Sequence, residues 1–446
     1  MTAATTKVGF YYKEGHEDRL FLDQTSIKQI LDRLSSPTTP LILYSLNQFR
    51  ENIQRYQHAL EQLSPTRARL SYSMKANYNP HLLPILRSAN VMLTTVSGGE
   101  MQLALSNGFQ GSKIIYNGNG KTDESIRMAI ESGVLLNVDS VFDLEVILDY
   151  AQQLKKIANV LIRVNPDLGD RNVHAYNTTA SKTSKFGTSI DQLEEIYRLM
   201  EDHHDKWIRL FGFHCHLGST ISNTQVIVQC LERLIQLFDV KRFPHLRFLN
   251  IGGGLGIDYK RYAKRTGNDS EDDPVYPSIE EYIQAIAEPL QTLPNSIELI
   301  VEPGRSLIGN ACILITRVLG QKQTGSIRQL VVDASMTECI RPALYQAYHH
   351  IDTINSFSTD ERIPFDIVGP VCESGDFLGK QRALPSRLKR GDFLAIFDTG
   401  AYCSSMSSNY NMRVRPAEYA LDDYEQIKLL RKRETNEDLL RNFCLE

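Results

Sequence analysis

The segment "RLSYSMKANYNPHLL", residues 69–83, alternates Leu70, Tyr72 and Met74 with Ser71 and Ser73, then reaches Lys75 before a polar turn carrying Pro80. Alternation of this kind marks a half-buried strand, so the lysine is expected at the strand's end. A solvated amine is the ordinary outcome there. The other outcome is a nucleophile. Free lysine has a pKa of ~10.4, so only about one in 10³ is neutral at pH 7. Burial and neighbouring cations lower that value and release an amine able to form a Schiff base.

Three other clusters carry matching chemistry. In "HCH" the alternation of side chains puts His214 and His216 on one strand face. In "GGGLG", Gly252, Gly253 and Gly254 lack a Cβ, which lets backbone N–H groups close on an anion. In "EPGR", Glu302 and Arg305 follow the apolar "LIV", so the acid is expected to be buried and to need a partner. Each cluster has a plain reading: a metal pair without a third ligand at suggestive spacing, a tight turn, a surface ion pair. Together, a lysine, an anion cradle, a carboxylate and a flat packing partner describe a pyridoxal 5'-phosphate site. The acid would keep the ring nitrogen protonated and make the ring an electron sink.

Such groups need a scaffold that gathers them. Eight short apolar runs begin at "LSYSMK" (70–75) and end at "ELIVEPGR" (298–305), with helical patterns such as "DQLEEIYRLMEDH" (191–203) between them. In that helix Leu193, Ile196, Tyr197 and Met200 form one apolar face. Eight βα repeats predict a (β/α)8 barrel of the TIM type, placed at residues 46–309. An open doubly wound sheet shares the rhythm, but no GxGxxG follows the first strand, and the glycine cluster follows the seventh. Barrel strand ends converge on one rim, which would collect Lys75, Ser97, Asn117, Asp139, Arg163, His214, His216, the glycine turn, and Glu302 with Arg305. From residue 310 to 446, β-like runs separated by Gly, Pro and Asp predict a mostly antiparallel β domain, which residues 1–45 are expected to join. Long loops at 166–187 and 258–277 would leave the functional face.

A chain of 446 residues suits two domains. Its net charge of -4 gives no reason to expect nucleic acid or an anionic membrane as partner. No apolar run approaches the ~20 residues of a membrane span, and the first residues lack a secretory or organelle pattern. The seven cysteines include no CxxC pair, which points to a reducing, cytoplasmic setting and to mostly buried thiols.

The motifs "YSMKANYN", "VSGGEM", "SKFG", "FHCHLGS", "NIGGGLG", "EPGRSLIG", "IRPALYQAYH", "GPVCESGD", "DTGAY" and "YNMRVRPAE" follow one another along nearly the whole chain. In that order they resemble the fold-type III pyridoxal phosphate decarboxylases, and within them the diaminopimelate decarboxylase family. The resemblance implies that Lys75 carries the cofactor. It implies that His216 stacks on the ring, that Ser219, Gly252, Gly253 and Gly254 hold its phosphate, and that Gly304 and Arg305 of "EPGR" lie at the cofactor. Glu302 would pair with the ring nitrogen. Arg305, Arg341 and Tyr345 would bind substrate, Glu373 its distal amino group, and Tyr402 would close the site near both. Cys372 would donate the proton, reaching the active site of a neighbouring subunit in a homodimer. On their own, Cys372 reads as a structural thiol and Arg341 as a helix-start arginine. A second arginine does suit a substrate with two carboxylates.

The activity implied is decarboxylation of meso-2,6-diaminopimelate to L-lysine. Ser335 in "VDASM", Thr220 after "HLGS" and the wording of the 174–187 loop depart from the family's usual pattern. These departures bear on the substrate rather than the cofactor. A same-fold decarboxylase of another amino acid, or of a siderophore or antibiotic precursor, is therefore the nearest rival. A catalytically silent, partner-binding homologue should lack the lysine or the cysteine, and both are present.

Overall fold

The structure, a computed structural model, describes residues 7–13, 20–34, 37–167, 184–263, 273–355, 361–422 and 424–444. Parts of both long loops, 168–183 and 264–272, lie outside the described residues. Two compact units form. One comprises residues 53–256 and 275–306; the other comprises 1–52, 257–274 and 307–446. The chain thus leaves the first unit and re-enters it through the loop after the seventh barrel strand.

In the first unit eight strands close into a parallel barrel: β1 (Arg67–Ser73), β2 (Met92–Thr95), β3 (Ile114–Tyr116), β4 (Leu135–Val138), β5 (Ala158–Asn165), β6 (Ile208–His214), β7 (Phe248–Asn250) and β8 (Glu298–Val301). Each pairs with the next, and β8 pairs with β1. Local chemistry sets the connecting helices. Thr122 caps the helix Asp123–Ser132, which ends on Gly133 at φ 70°, where glycine has no Cβ to clash. Ser140 caps Val141–Leu154 in the same way. Leu193–Glu201 buries Leu193, Ile196 and Met200 against the barrel wall, each contributing about 1.5–3 kcal/mol.

The barrel interior is layered by the period of the strand. Met92, Ile115, Leu135, Leu161, Phe248 and Ile300 pack as one apolar cluster. Two residues further along the chain stand Thr94, Asn137, Arg163 and Asn250 on their strands, and Asn117 and Glu302 one residue past the ends of β3 and β8, all buried. A two-residue step returns to the same face, so this polar layer sits directly on the apolar one.

Two expectations need correcting. β1 ends at Ser73, and Lys75 lies in the 3-10 turn Met74–Ala76 that follows it. β6 ends at His214, so His216 lies beyond the strand rather than on it.

The second unit is built on the long strand Cys312–Thr324, which pairs antiparallel with Leu41–Tyr44, Ile327–Val332 and Phe393–Ile396. Most other pairings in its sheet are also antiparallel; Leu41–Tyr44 with Ala417–Leu421 and Ile327–Val332 with Arg362–Val368 are parallel. The N-terminal segment enters it through Leu41–Tyr44, whereas Phe10–Tyr12 forms a separate three-stranded sheet with Leu20–Leu22 and Thr25–Ser26. Both share one core, including Phe10, Leu22, Leu43, Ile313 and Phe397. Among the described residues no helix is long and apolar enough to cross a membrane.

Candidate active site

Glu302 is the centre of the polar layer. Asn250 donates to its Oε1 at 2.7 Å, Asn117 donates to Oε2 at 3.1 Å, and His214 Nε2 lies 3.3 Å from Oε2. Asn137 in turn donates to Asn117 Oδ1 at 2.7 Å, which fixes the amide's direction. Burial alone would push the carboxyl up. The charge of His214 beside it, with hydrogen bonds from His214, Asn250 and Thr94, outweighs that and holds Glu302 below the usual carboxylate range. Burial lowers His214 despite the acid beside it. Glu302 is thus the ionised partner, and His214 carries a hydrogen on Nε2 because an ionised carboxylate only accepts. The result is a buried negative charge with fixed donors around it.

Lys75 stands on a turn held from both sides. Tyr72 donates its hydroxyl to Asn77 O at 2.8 Å, and Ser73 N donates to Pro303 O at 3.1 Å. The second bond joins the Lys75 turn to "EPGR". Gly304 is required there, since a Cβ would come within 2.9 Å of the Ala76 Cβ. Lys75 is half-buried. His216 is lowered well below the ordinary imidazole value, first by burial and then by the charges of Lys75 and Arg163. It accepts from Gly253 N at Nδ1, 3.2 Å, which turns a neutral ring toward the glycine turn.

The glycine turn could be made by no other residue. Gly252 (φ 66°) and Gly254 (φ 119°) are left-handed, and added Cβ atoms would meet Cys215 O at 2.6 Å and Gly218 O at 2.4 Å. Beside it, Arg305 donates from Nη2 to Ser219 Oγ at 2.8 Å. Thr220 holds φ 63°, a strained position for a β-branched residue, and its hydroxyl bonds Ser219 O at 2.6 Å. Backbone N–H groups, a hydroxyl and a guanidinium are the donor set of a phosphate site.

The remaining candidates belong to the second unit. Arg341 is buried and starts the short helix Arg341–Tyr345; Tyr345 and Tyr402 are half-buried, with Tyr402 at φ 59°. Cys372 and Glu373 are exposed. Their loop is anchored by Cys372 N donating to Asn411 Oδ1 at 2.9 Å and by Asp376, which accepts from Met336 N and Val371 N at 2.7 and 2.9 Å. Ser335 is fully buried and gives both its N–H and its hydroxyl to Glu338.

Asn250, Asn137 and Thr94 escaped the sequence reading. The signal was present: each lies two residues beyond an apolar interior position. Among the described residues three metal-type donors gather at Cys339, His349 and Cys403, not at the "HCH" histidines.

Comparison with known proteins gives a consistent set of likenesses. A family profile, the pyridoxal binding domain of pyridoxal-dependent decarboxylases, matches residues 46–309. The chain is 41% identical over 434 residues to a probable chloroplastic diaminopimelate decarboxylase of Oryza sativa subsp. japonica, covering 97% of this chain and 84% of that one. It is 37% identical to the diaminopimelate decarboxylase of Aquifex aeolicus, covering 95% of each. Its fold superposes on the Helicobacter pylori diaminopimelate decarboxylase complexed with L-lysine with a TM-score of 0.82, at 33% identity, covering 92% of this chain and 98% of that one.

Proposed function

The chain belongs to the pyridoxal-dependent decarboxylase family, and on that premise we propose that it converts meso-2,6-diaminopimelate to L-lysine and carbon dioxide, the reaction of lysine biosynthesis. The observation that carries this reading is the buried Glu302 carboxylate, ionised and fixed by N–H donors from Asn250, Asn117 and His214 at the ends of three barrel strands. A permanent negative charge at that depth suits a protonated ring nitrogen.

The residues present fit the cofactor. Lys75 would hold it covalently and His216 would pack on its ring. Ser219, Gly252, Gly253, Gly254, Gly304 and Arg305 would take the phosphate end, where a cradle that any Cβ would fill supports the assignment. Bound there, pyridoxal phosphate supplies a ring that accepts the electron pair left when a carboxylate departs. The chain's own groups do the rest. Arg305 and Arg341 fork the substrate carboxylates, Tyr345 adds a hydroxyl, and Glu373 takes the distal ammonium. Tyr402 closes the site against water. Cys372 Sγ delivers the proton to the carbon that lost its carboxylate.

Cys372 and Glu373 are exposed in the single chain, which supports a homodimer in which each copy lends these groups to its partner's site. All seven cysteines are free thiols, and on that ground we place the enzyme in the cytoplasm. Borohydride reduction of the purified protein followed by peptide mapping tests the cofactor: the adduct is expected on Lys75, and its absence there refutes the assignment. Assays with diaminopimelate, lysine, ornithine and arginine test the substrate. Turnover of lysine or ornithine without turnover of diaminopimelate would overturn the reading.

A further inference from the structure

Arg341 is only 4% exposed, yet no carboxylate among the described residues pairs with it. Other arginines of the same unit meet acids: Arg261 pairs with Asp398 at 2.8 Å and Arg362 with Asp352 at 2.5 Å. Arg341 instead donates from Nη1 to His349 Nε2 at 2.6 Å, and its guanidinium lies 4.5 Å over the Tyr259 ring. The Asp398 carboxylate, already paired with Arg261, reaches Arg341 only through its field. A buried cation with no carboxylate in contact is costly, and that cost fits a group held for an anion that arrives later.

His349 is built for that duty. It is fully buried, its Nδ1 lies 2.7 Å from Phe397 O, and its ring meets Tyr259 edge-on at 5.1 Å. A carbonyl oxygen only accepts, so Nδ1 carries the hydrogen and Nε2 turns its lone pair to Arg341. The short helix Arg341–Tyr345 closes on Gln346 at φ 53°, which brings the chain back so that residue 349 faces residue 341. Cys339 and Cys403 hold donor atoms within 4.8 Å of the imidazole. Both its nitrogens are already engaged, so the trio is packing rather than a metal centre.

We propose that His349 is a positioning residue for Arg341: a neutral acceptor that aims the guanidinium without cancelling its charge, and so sets recognition of the substrate's distal carboxylate. A carboxylate in its place would aim the group equally well and neutralise it. The inference rests on the proposed function, in which Arg341 meets that carboxylate.

The test uses the holoenzyme with diaminopimelate as substrate, and with L-lysine and 1,5-diaminopentane as inhibitors; lysine keeps the distal carboxylate and the diamine lacks it. In His349→Phe, KM is expected to rise about 10- to 100-fold with kcat within about threefold, and the preference for lysine over the diamine to shrink by a similar factor. His349→Gln, whose amide oxygen can take the place of Nε2, should restore both to within about fivefold. If the phenylalanine variant does not fold, His349→Asn, too short to reach Arg341, must show the same split. Loss of kcat or cofactor with an unchanged inhibitor preference would mean a merely structural role and overturn the proposal. Arg341→Met separates the two levels. If it leaves the preference intact, the substrate reading itself fails; if it abolishes the preference while His349→Phe does not, only the positioning role fails.

Discussion

At the scale of single residues, charge state decides function. Glu302 stays ionised because the charge of His214 and the hydrogen-bond donors around it outweigh the burial that opposes ionisation. Glu302→Gln keeps the shape and removes the charge, so kcat is expected to fall roughly 10²–10³-fold while borohydride still fixes cofactor to Lys75. A variant with near-normal kcat would remove the acid from the mechanism. Asp398 shows the opposite balance. Burial pushes its carboxyl up to about 6, although the Arg261 guanidinium opposes this. In the unfolded chain the group returns to about 3.9, so between these values the folded state binds more protons. The stability it contributes is full below about pH 4 and is lost as pH rises through 6, about 3 kcal/mol in all. The Tm of the wild type minus that of Asp398→Asn should therefore fall as pH is raised from 4 to 7. A flat difference would contradict the assignment.

At the scale of elements, the glycine turn after β7 and the turn after β1 are held by close backbone approach. Gly254→Ala must accept a left-handed φ and a contact with Gly218 O. It is expected to cost about 1–3 kcal/mol and to lower bound cofactor, read from thermal unfolding and from cofactor absorbance. Unchanged occupancy would show that the turn does not cradle the phosphate. This turn was legible as "GGGLG" because glycine run and cradle are the same fact. The turn under Lys75 was not. Alternation in "LSYSMK" continues past Ser73, and only the bond from Ser73 N to Pro303 O shows that the chain leaves the strand for a partner some 230 residues away. His216 was misplaced for the same reason: "HCH" satisfies the strand period, but β6 stops at His214.

At the scale of the whole molecule, the proposed exchange of Cys372 between copies makes a quantitative claim. Lys75→Ala and Cys372→Ala proteins should each be inactive. Mixed after dissociation, they should regain about a quarter of wild-type activity, since half the dimers are hybrids and each hybrid has one intact site. No recovery, with mixed dimers shown by mass, would place lysine and cysteine of each site on one chain. The sequence by itself determined the barrel, the mostly antiparallel second sheet, and the residue types that hold a cofactor, because strand period, helix caps and glycine turns are local in the chain. Only the tertiary structure decided that Asn250, Asn117 and His214 converge on Glu302, and that His349 rather than an acid meets Arg341. Those contacts join residues far apart in sequence or on opposite sides of a turn. Hydrogen bonding between them depends on closure of the barrel and packing of the sheet, which no local pattern encodes.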